Sequence, residues 1–242
     1  MAIVLFTDFG AANLYAGQVE AVLDRLAPGV RVIHLLHAAP AFDIQASAHL
    51  LAALARGLVP GDVLVGVVDP GVGTNRDAVV VRADDRWYVG PDNGLFSVAV
   101  ARAAAKSVWR IAGHPLGVSP SFHGRDIFAP MAAAVATDHF PNESVAAALD
   151  LAVRLDGDDL AKVIYVDHYG NCFTGIRAPC VPQTNRLVVG GLELPHARVF
   201  GDAKVGEPFW YENSSGLVEI AVNRGSAADR LGLAIGMAVA WR

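Results

Sequence analysis

A parallel-sheet α/β domain followed by a small all-β domain is the architecture that this 242-residue sequence predicts. Three observations predict it. Apolar runs alternate with amphipathic helical stripes through the first half, as expected for strands covered by helices on both faces. Beyond about residue 160 the pattern changes to short strand-like runs between turns such as Asp167-His168-Tyr169-Gly170 and Gly190-Gly191. Hydrophobic residues make up 53% of the chain against 18% charged, enough apolar surface to build a core in each part.

Taken in order, Ala2–Thr7 is a continuous run suited to a buried first strand. Val19, Val22, Leu23 and Leu26 then share one stripe of a helix that stops at Pro28-Gly29. Arg31–Leu36 reads as a second strand, Ile44, Ala48, Leu51 and Leu54 mark a second helix, and residues 62–68 form a third strand. This alternation implies parallel connections and a Rossmann-like, three-layer arrangement. Residues 78–81 and 87–89 are expected to pair around the polar turn Asp84-Asp85, and residues 95–105 and 127–137 read as further helices. Residues 141–161 mix alanine with acids and end in LDGDDL, which places a boundary at residues 156–161 and divides the chain into 1–158 and 159–242. There is no internal repeat.

A net charge of -5 argues against a nucleic-acid partner or a basic membrane-binding face. The most hydrophobic window, residues 50–68, is broken by Arg56, Gly57, Pro60, Gly61 and Asp62, so no membrane anchor is expected. The short apolar N-terminus reads as a strand rather than a signal peptide, and a cytoplasmic location follows as the expectation. Cys172 and Cys180 stand apart with no CxxC pair and read as free thiols. His34 and His37 end the run RVIHLLH, where a strand would turn them to opposite faces, so a metal site is not expected there.

Candidate chemistry begins with Thr7-Asp8-Phe9-Gly10, whose DFG triplet is also found in protein kinases. Kinase order places that triplet after a glycine-rich loop, a strand lysine and an HRD loop, and here only a short strand precedes it. In an open parallel sheet the ligand crevice lies beyond the carboxyl ends of the strands. Asp8 ends the first strand and Asp69 the third, so both carboxylates belong to that rim, beside the turn Asp69-Pro70-Gly71-Val72-Gly73. The turn has no Lys-Ser/Thr, which speaks against a phosphate-binding loop. Plain structural alternatives stay open at this point. Asp8 could cap the next helix and Asp69 could make a turn before Pro70. Arg76, seven residues on, could be in a surface ion pair, and His123 could be a solvated loop histidine. Turn chemistry alone would also account for Asp167 to Asn171 and for the hairpin loop at residues 211–216.

Six ordered motifs then resemble one family from end to end, the S-adenosylmethionine hydroxide adenosyltransferases, relatives of fluorinase and chlorinase. They are TDFG at 7–10, VDPGVGTNR at 68–76, GPDNG at 90–94, FHGRDIFAP at 122–130, DHYGN at 167–171 and NSSGLVEIAVNRG at 213–225. The resemblance implies an α/β domain joined to a barrel-like β domain, and a homotrimer whose sites lie between neighbouring subunits. The implied reaction is attack of a water-derived oxygen on the ribose 5′ carbon of S-adenosylmethionine, giving adenosine and L-methionine with no cofactor and no metal. It implies Asp69, Arg76 and His123 as the catalytic group. It also implies Asp8 on the ribose hydroxyls, Phe42 as an aromatic wall, Asp167 on the methionine ammonium, Asn171 on adenine and Ser214 on the methionine carboxylate, with Glu219 on the adjoining strand.

Two positions set the chain apart within that resemblance. Fluorinase has an arginine where this chain has Ser215, so the methionine carboxylate lacks a bidentate partner there. The halogenases place tyrosine at Asp69 and lack the histidine of FHGRD; an anionic Asp69 would repel halide, which favours water as the nucleophile. A binding protein for adenosine or S-adenosylmethionine with negligible turnover is the alternative from another class, and halogenase activity is a third.

Overall fold

The computed structural model describes residues 1–10, 14–113 and 117–242, and these divide into two compact units, Met1–Gly157 and Asp158–Arg242. The first unit is built on strands β1 (Ala2–Thr7), β2 (Arg31–Leu36), β3 (Val63–Val67), β4 (Ala78–Ala83), β5 (Arg86–Pro91), β6 (Lys106–Ile111) and β7 (Val145–Ala148). Its helices are α1 (Tyr15–Leu26), α2 (Ile44–Leu54), α3 (Ser97–Ala101) and α4 (Ala129–Ala136). The strands form one sheet in the order β2-β1-β3-β5-β4-β6-β7.

Only half of that sheet is parallel, which corrects the expected parallel sheet, while the strand pair expected around Asp84-Asp85 is present as the antiparallel β4–β5 hairpin. β2, β1, β3 and β5 run parallel, whereas β4, β6 and β7 are antiparallel to their neighbours. The cause lies in Asp84 and Asp85, whose positive φ values of 46° and 63° close a two-residue turn and leave no length for a crossover helix. β6 and β7 escaped the sequence reading. KSVWRI lacks the unbroken apolar character of a strand buried on both faces, and VAAA is short and rich in alanine, a residue depleted in strands. The helix expected over 95–105 shrinks to α3, because Asp84 Oδ1 accepts the N–H groups of Ala104 and Ala105 beyond its end.

Side-chain alternation divides the core. Ile3, Leu5, Val63 and Val65 face α1 and α4, packing with Val19, Leu23, Met131 and Val135. On the other face Gly66 lies against Phe96 and Leu95, and α2 packs on α3 through Ala48, Ala52 and Val98. At about 25 cal/mol per Å² these dry faces dominate the stability of the unit. The carboxyl ends of β1 and β3 are thereby fixed side by side, with the Asp8 N–H donating to the Val67 carbonyl at 3.1 Å.

His34 and His37 also depart from expectation. β2 ends at Leu36, so His37 leaves the strand and its Nε2 meets Nδ1 of His34 at 2.7 Å.

The second unit holds β8 (Leu160–Val166), β9 (Cys172–Arg177), β10 (Leu187–Val189), β11 (Leu192–Leu194), β12 (Pro208–Glu212), β13 (Leu217–Val222), α5 (Ala227–Leu231) and β14 (Val239–Trp241). They form two antiparallel sheets, β12-β13-β9-β8 and β11-β10-β14, around a core that includes Val163, Leu187, Trp210, Ile220 and Val239. Among the described residues no helix is long and apolar enough to cross a membrane.

Candidate active site

Past the end of β3 the chain makes a double turn, with the Val72 N–H donating to the Asp69 carbonyl at 3.2 Å and the Thr74 N–H to that of Gly71 at 3.1 Å. This turn swings Arg76 back onto Asp69. Nε of Arg76 donates to Oδ1 and Oδ2 of Asp69 at 3.0 and 3.1 Å, and Nη2 also donates to Oδ2. The same Nη2 donates to Nδ1 of His123 at 2.9 Å. The Asp69 side chain is only 4% exposed and that of Arg76 10%, and His123 is buried. A surface ion pair and a solvated loop histidine are thereby both excluded. Fully buried Phe128 backs the group, with the guanidinium 5.3 Å above its ring centroid and the imidazole edge-on to it at 6.5 Å.

His123 reaches this place through a loop that needs glycine. Gly73 has φ +77°, and a Cβ there would lie 2.5 Å from the Pro120 carbonyl oxygen, so only glycine lets the Asp69–Arg76 turn rest on the segment leading to His123. From His123 the chain enters one π-helical turn, Gly124–Phe128, before α4. Asp126 ties that turn down. It accepts from the Ser119 N–H at 2.9 Å and from Arg125 at 2.6 and 3.0 Å, and Arg125 donates to Gln18 of α1 at 2.9 Å. The Arg125 hydrogen bonds hold the Asp126 carboxyl below the usual carboxylate range. Gly73→Ala is expected to lower stability by about 1–3 kcal/mol and kcat by about 10²-fold through misplacement of the Asp69–Arg76 turn. Gly71→Ala is the comparison, since its Cβ would meet nothing closer than 3.5 Å. Thermal melting and steady-state kinetics on the two variants check this, and equal effects would disprove it.

Asp8 and Phe42 line the same pocket as Asp69 and His123, with Phe9, Val67, Pro70, Phe122 and Gly124. Asp8 does not cap α1, whose N-cap is Leu14 with no side-chain cap. Burial pushes its carboxyl above the usual range, and the charge of Asp69 pushes the same way. Phe42 is 81% exposed and held at φ +65°, a conformation that is strained for an aromatic residue. Its neighbour Asp43 caps α2 by accepting from the Ala46 N–H at 2.9 Å.

The remaining predicted residues form a second cluster, in the β unit. Asp167 Oδ1 accepts from the N–H groups of Tyr169 and Asn171, each at 2.9 Å, and Oδ2 accepts from Nδ2 of Asn171 at 3.0 Å. The turn closes on Gly170, φ +82°, where a Cβ would fall 2.1 Å from Oγ of Ser226. Ser214 sits exposed at the tip of the β12–β13 hairpin. Both oxygens of buried Glu219 are occupied, Oε1 by the Tyr211 hydroxyl at 2.5 Å and Oε2 by Nδ2 of Asn213 at 2.9 Å. Asn213 in turn accepts from the N–H groups of Ser215 and Leu217, so Glu219 braces the loop that carries Ser214. Burial pushes the Glu219 carboxyl up, the two hydrogen bonds pull it down, and the charge of Asp167 pushes it up again.

Sequence reading missed the supports. Asn93, in GPDNG, donates to the Val68 carbonyl at 2.8 Å next to Asp69. Phe128 gave only a core signal, and Tyr211 and Asn213 only a turn signal. No spacing rule could have linked them to the site, because their partners lie on other elements.

Comparison with known proteins shows the family. Residues 3–145 match the SAM hydroxide adenosyltransferase N-terminal domain and residues 161–240 the corresponding C-terminal domain. An (R)-S-adenosyl-L-methionine hydrolase from Thermus thermophilus is 39% identical over 98% of each chain. One from Salinispora arenicola is 39% identical over 95% of this chain and 93% of its own. The crystal structure of an uncharacterized conserved protein from Thermotoga maritima superimposes with a TM-score of 0.89 at 30% identity, covering 99% of both chains. A fluorinase from Actinoplanes sp. is less similar, 26% identical over 98% of this chain. Both domains of one family thus run in order along nearly the whole sequence, and the chain belongs to the SAM hydroxide adenosyltransferase family.

Proposed function

We propose that the protein hydrolyses S-adenosyl-L-methionine to adenosine and L-methionine. The observation that carries this reading is the nearly dry contact of Asp69, Arg76 and His123 beside Asp8, in a chain of this family. The C5′–S bond breaks with its electron pair passing to sulfur, which leaves as the neutral thioether of methionine. The C5′–O bond forms from water, and the water proton passes to protein and then to solvent. Sulfonium is already a good leaving group, so the protein mainly aligns a water and accepts its proton.

The hydrogen bonds assign the parts. Arg76 can only donate, so Nδ1 of His123 is an acceptor in the Arg76–His123 contact and the neutral ring carries its proton on Nε2. The imidazole therefore orients the water as a donor, and the carboxylate of Asp69 takes the proton. Arg76 fixes the orientation of the Asp69 carboxylate by donating to both of its oxygens. Asp8 accepts from the two ribose hydroxyls, and Phe42 stacks on the sugar or base. In the β unit Asp167 keeps room for the methionine ammonium beyond its three turn donors, and Asn171, with one N–H committed to Asp167, reads adenine through the rest of its amide. Ser214 takes the methionine carboxylate, and Glu219 supports it through Asn213. No cofactor or metal is required. The working form is a cytoplasmic homotrimer that pairs the cluster of one subunit with that of the next.

The named relatives act on the R epimer at sulfur, and we extend that preference to this chain. The test is incubation of purified protein with epimeric S-adenosylmethionine, with and without chloride, followed by chromatography. Adenosine and methionine are expected in equal amounts, with the R epimer consumed first and no 5′-chloroadenosine. Binding without product would leave a binding protein, and a halogenated product would make it a halogenase.

A further inference from the structure

The turn that carries Asp8 is gripped from outside the pocket by one residue. Nδ1 of His37 lies 2.8 Å from Oγ1 of buried Thr7, and the His37 carbonyl accepts from the Gly10 N–H at 2.6 Å. Asp8 and Phe9 lie between those two anchor points. Two residues on, the Ala39 N–H donates to the Thr7 carbonyl at 3.0 Å, so the segment leading to Phe42 is fastened at the same place.

The ring of His37 continues outward. Its Nε2 is 2.7 Å from Nδ1 of His34, and Nε2 of His34 is 3.3 Å from a carboxylate oxygen of Glu20 on α1. The Glu20 end fixes the polarity of this chain, because its carboxylate can only accept. Neutral His34 therefore carries its proton on Nε2 and accepts at Nδ1. His37 then donates from Nε2 and accepts the Thr7 hydroxyl at Nδ1. Burial holds His37 below the ordinary imidazole range, in the neutral form this order needs.

We propose that His37 is a positioning residue for the ribose-binding turn, its ring and carbonyl clamping Thr7 and Gly10 while His34 and Glu20 fix its tautomer. The proposal rests on the assignment of Asp8 to the ribose hydroxyls. A carboxylate accepting two hydroxyls must present both oxygens at a set angle, and the clamp on its two flanks sets that angle. Its signature is discrimination for the sugar hydroxyls rather than general affinity.

Calorimetric titration of the full chain with adenosine and with 2′,3′-dideoxyadenosine reads this directly, with melting curves to confirm folding. The native protein is expected to prefer adenosine by at least about tenfold, since hydrogen bonds to a charged acceptor are the strong ones. Thr7→Val and His37→Phe should reduce that preference at least about fivefold. His37→Asn, whose amide oxygen can replace Nδ1 as acceptor, should retain most of it. His34→Phe and Glu20→Leu act at the partly exposed end of the chain and decide the matter if the buried variants do not fold; each should reduce the preference about twofold or more, through loss of the tautomer that keeps Nδ1 an acceptor. An unchanged preference in the folded variants, while Asp8→Asn abolishes it, overturns the clamp and leaves the ribose assignment standing. A preference that survives Asp8→Asn, or is absent from the native protein, overturns the ribose assignment and the clamp with it.

Discussion

Asp69→Asn lowers kcat for S-adenosylmethionine by about 10³-fold and leaves KM within about threefold, the pattern of an interaction made in the transition state alone. Asparagine keeps the size of the side chain and one acceptor oxygen, so the pocket hardly changes shape. It cannot take a proton from water, and its NH₂ turns a donor toward the guanidinium that donates to Asp69 at both oxygens. On the proposed reading the ribose contact belongs to Asp8, so substrate affinity is expected to survive. His123→Ala is expected to cost less, about 10²-fold in kcat, because a ring that accepts from Arg76 at Nδ1 serves as a donor to the water and not as its base. Steady-state kinetics and calorimetric adenosine affinity on the two variants check the order. A parallel rise of KM and of the adenosine Kd, with kcat retained, would make Asp69 a binding residue.

How much of this was legible in the sequence follows from the range over which each signal acts. β1 and β3 were legible because a strand dry on both faces needs an unbroken apolar run. β6 was not, because one face of KSVWRI meets solvent and the run resembles a polar connection. Asp8 and Asp69 were legible as a pair through the rule that ligands gather at the carboxyl ends of parallel strands. That Arg76 turns back on Asp69 follows from the glycines between them, but His123 comes from 47 residues further along, and only the fold sets it against Arg76. The resemblance supplied that link; the spacing did not. Phe128 illustrates the remaining gap: its position in an apolar helix start predicts burial, and burial alone does not say that a guanidinium and an imidazole rest on the ring. The clamp at His37 was hidden for the opposite reason, since an ideal strand would have separated His34 from His37, and the strand ends one residue too early for that rule to hold.

Arg76→Met is expected to destabilise the first unit by about 3–5 kcal/mol, because it strands a buried carboxylate, and to lower its melting temperature by roughly 10 °C. The Asp69 side chain is 4% exposed, so water cannot replace the lost donors without opening the turn. Methionine fills much of the space over Phe128 and keeps the packing, which confines the loss to electrostatics and hydrogen bonding. The double variant Asp69→Asn/Arg76→Met removes the stranded charge and should recover at least about half of the lost stability, a coupling of roughly 2 kcal/mol in a double-mutant cycle. Its kcat should recover nothing, since the proton acceptor is absent in both backgrounds. Stability and activity are thus expected to separate: the ion pair holds the turn together, while on the proposed reading the barrier is lowered by Asp69 as proton acceptor. Melting curves and kinetics on the three variants provide the check. A double variant that regained turnover along with stability would show that Arg76 and Asp69 serve the fold alone, and the base would then have to be sought in Asp8, the other carboxylate of the pocket.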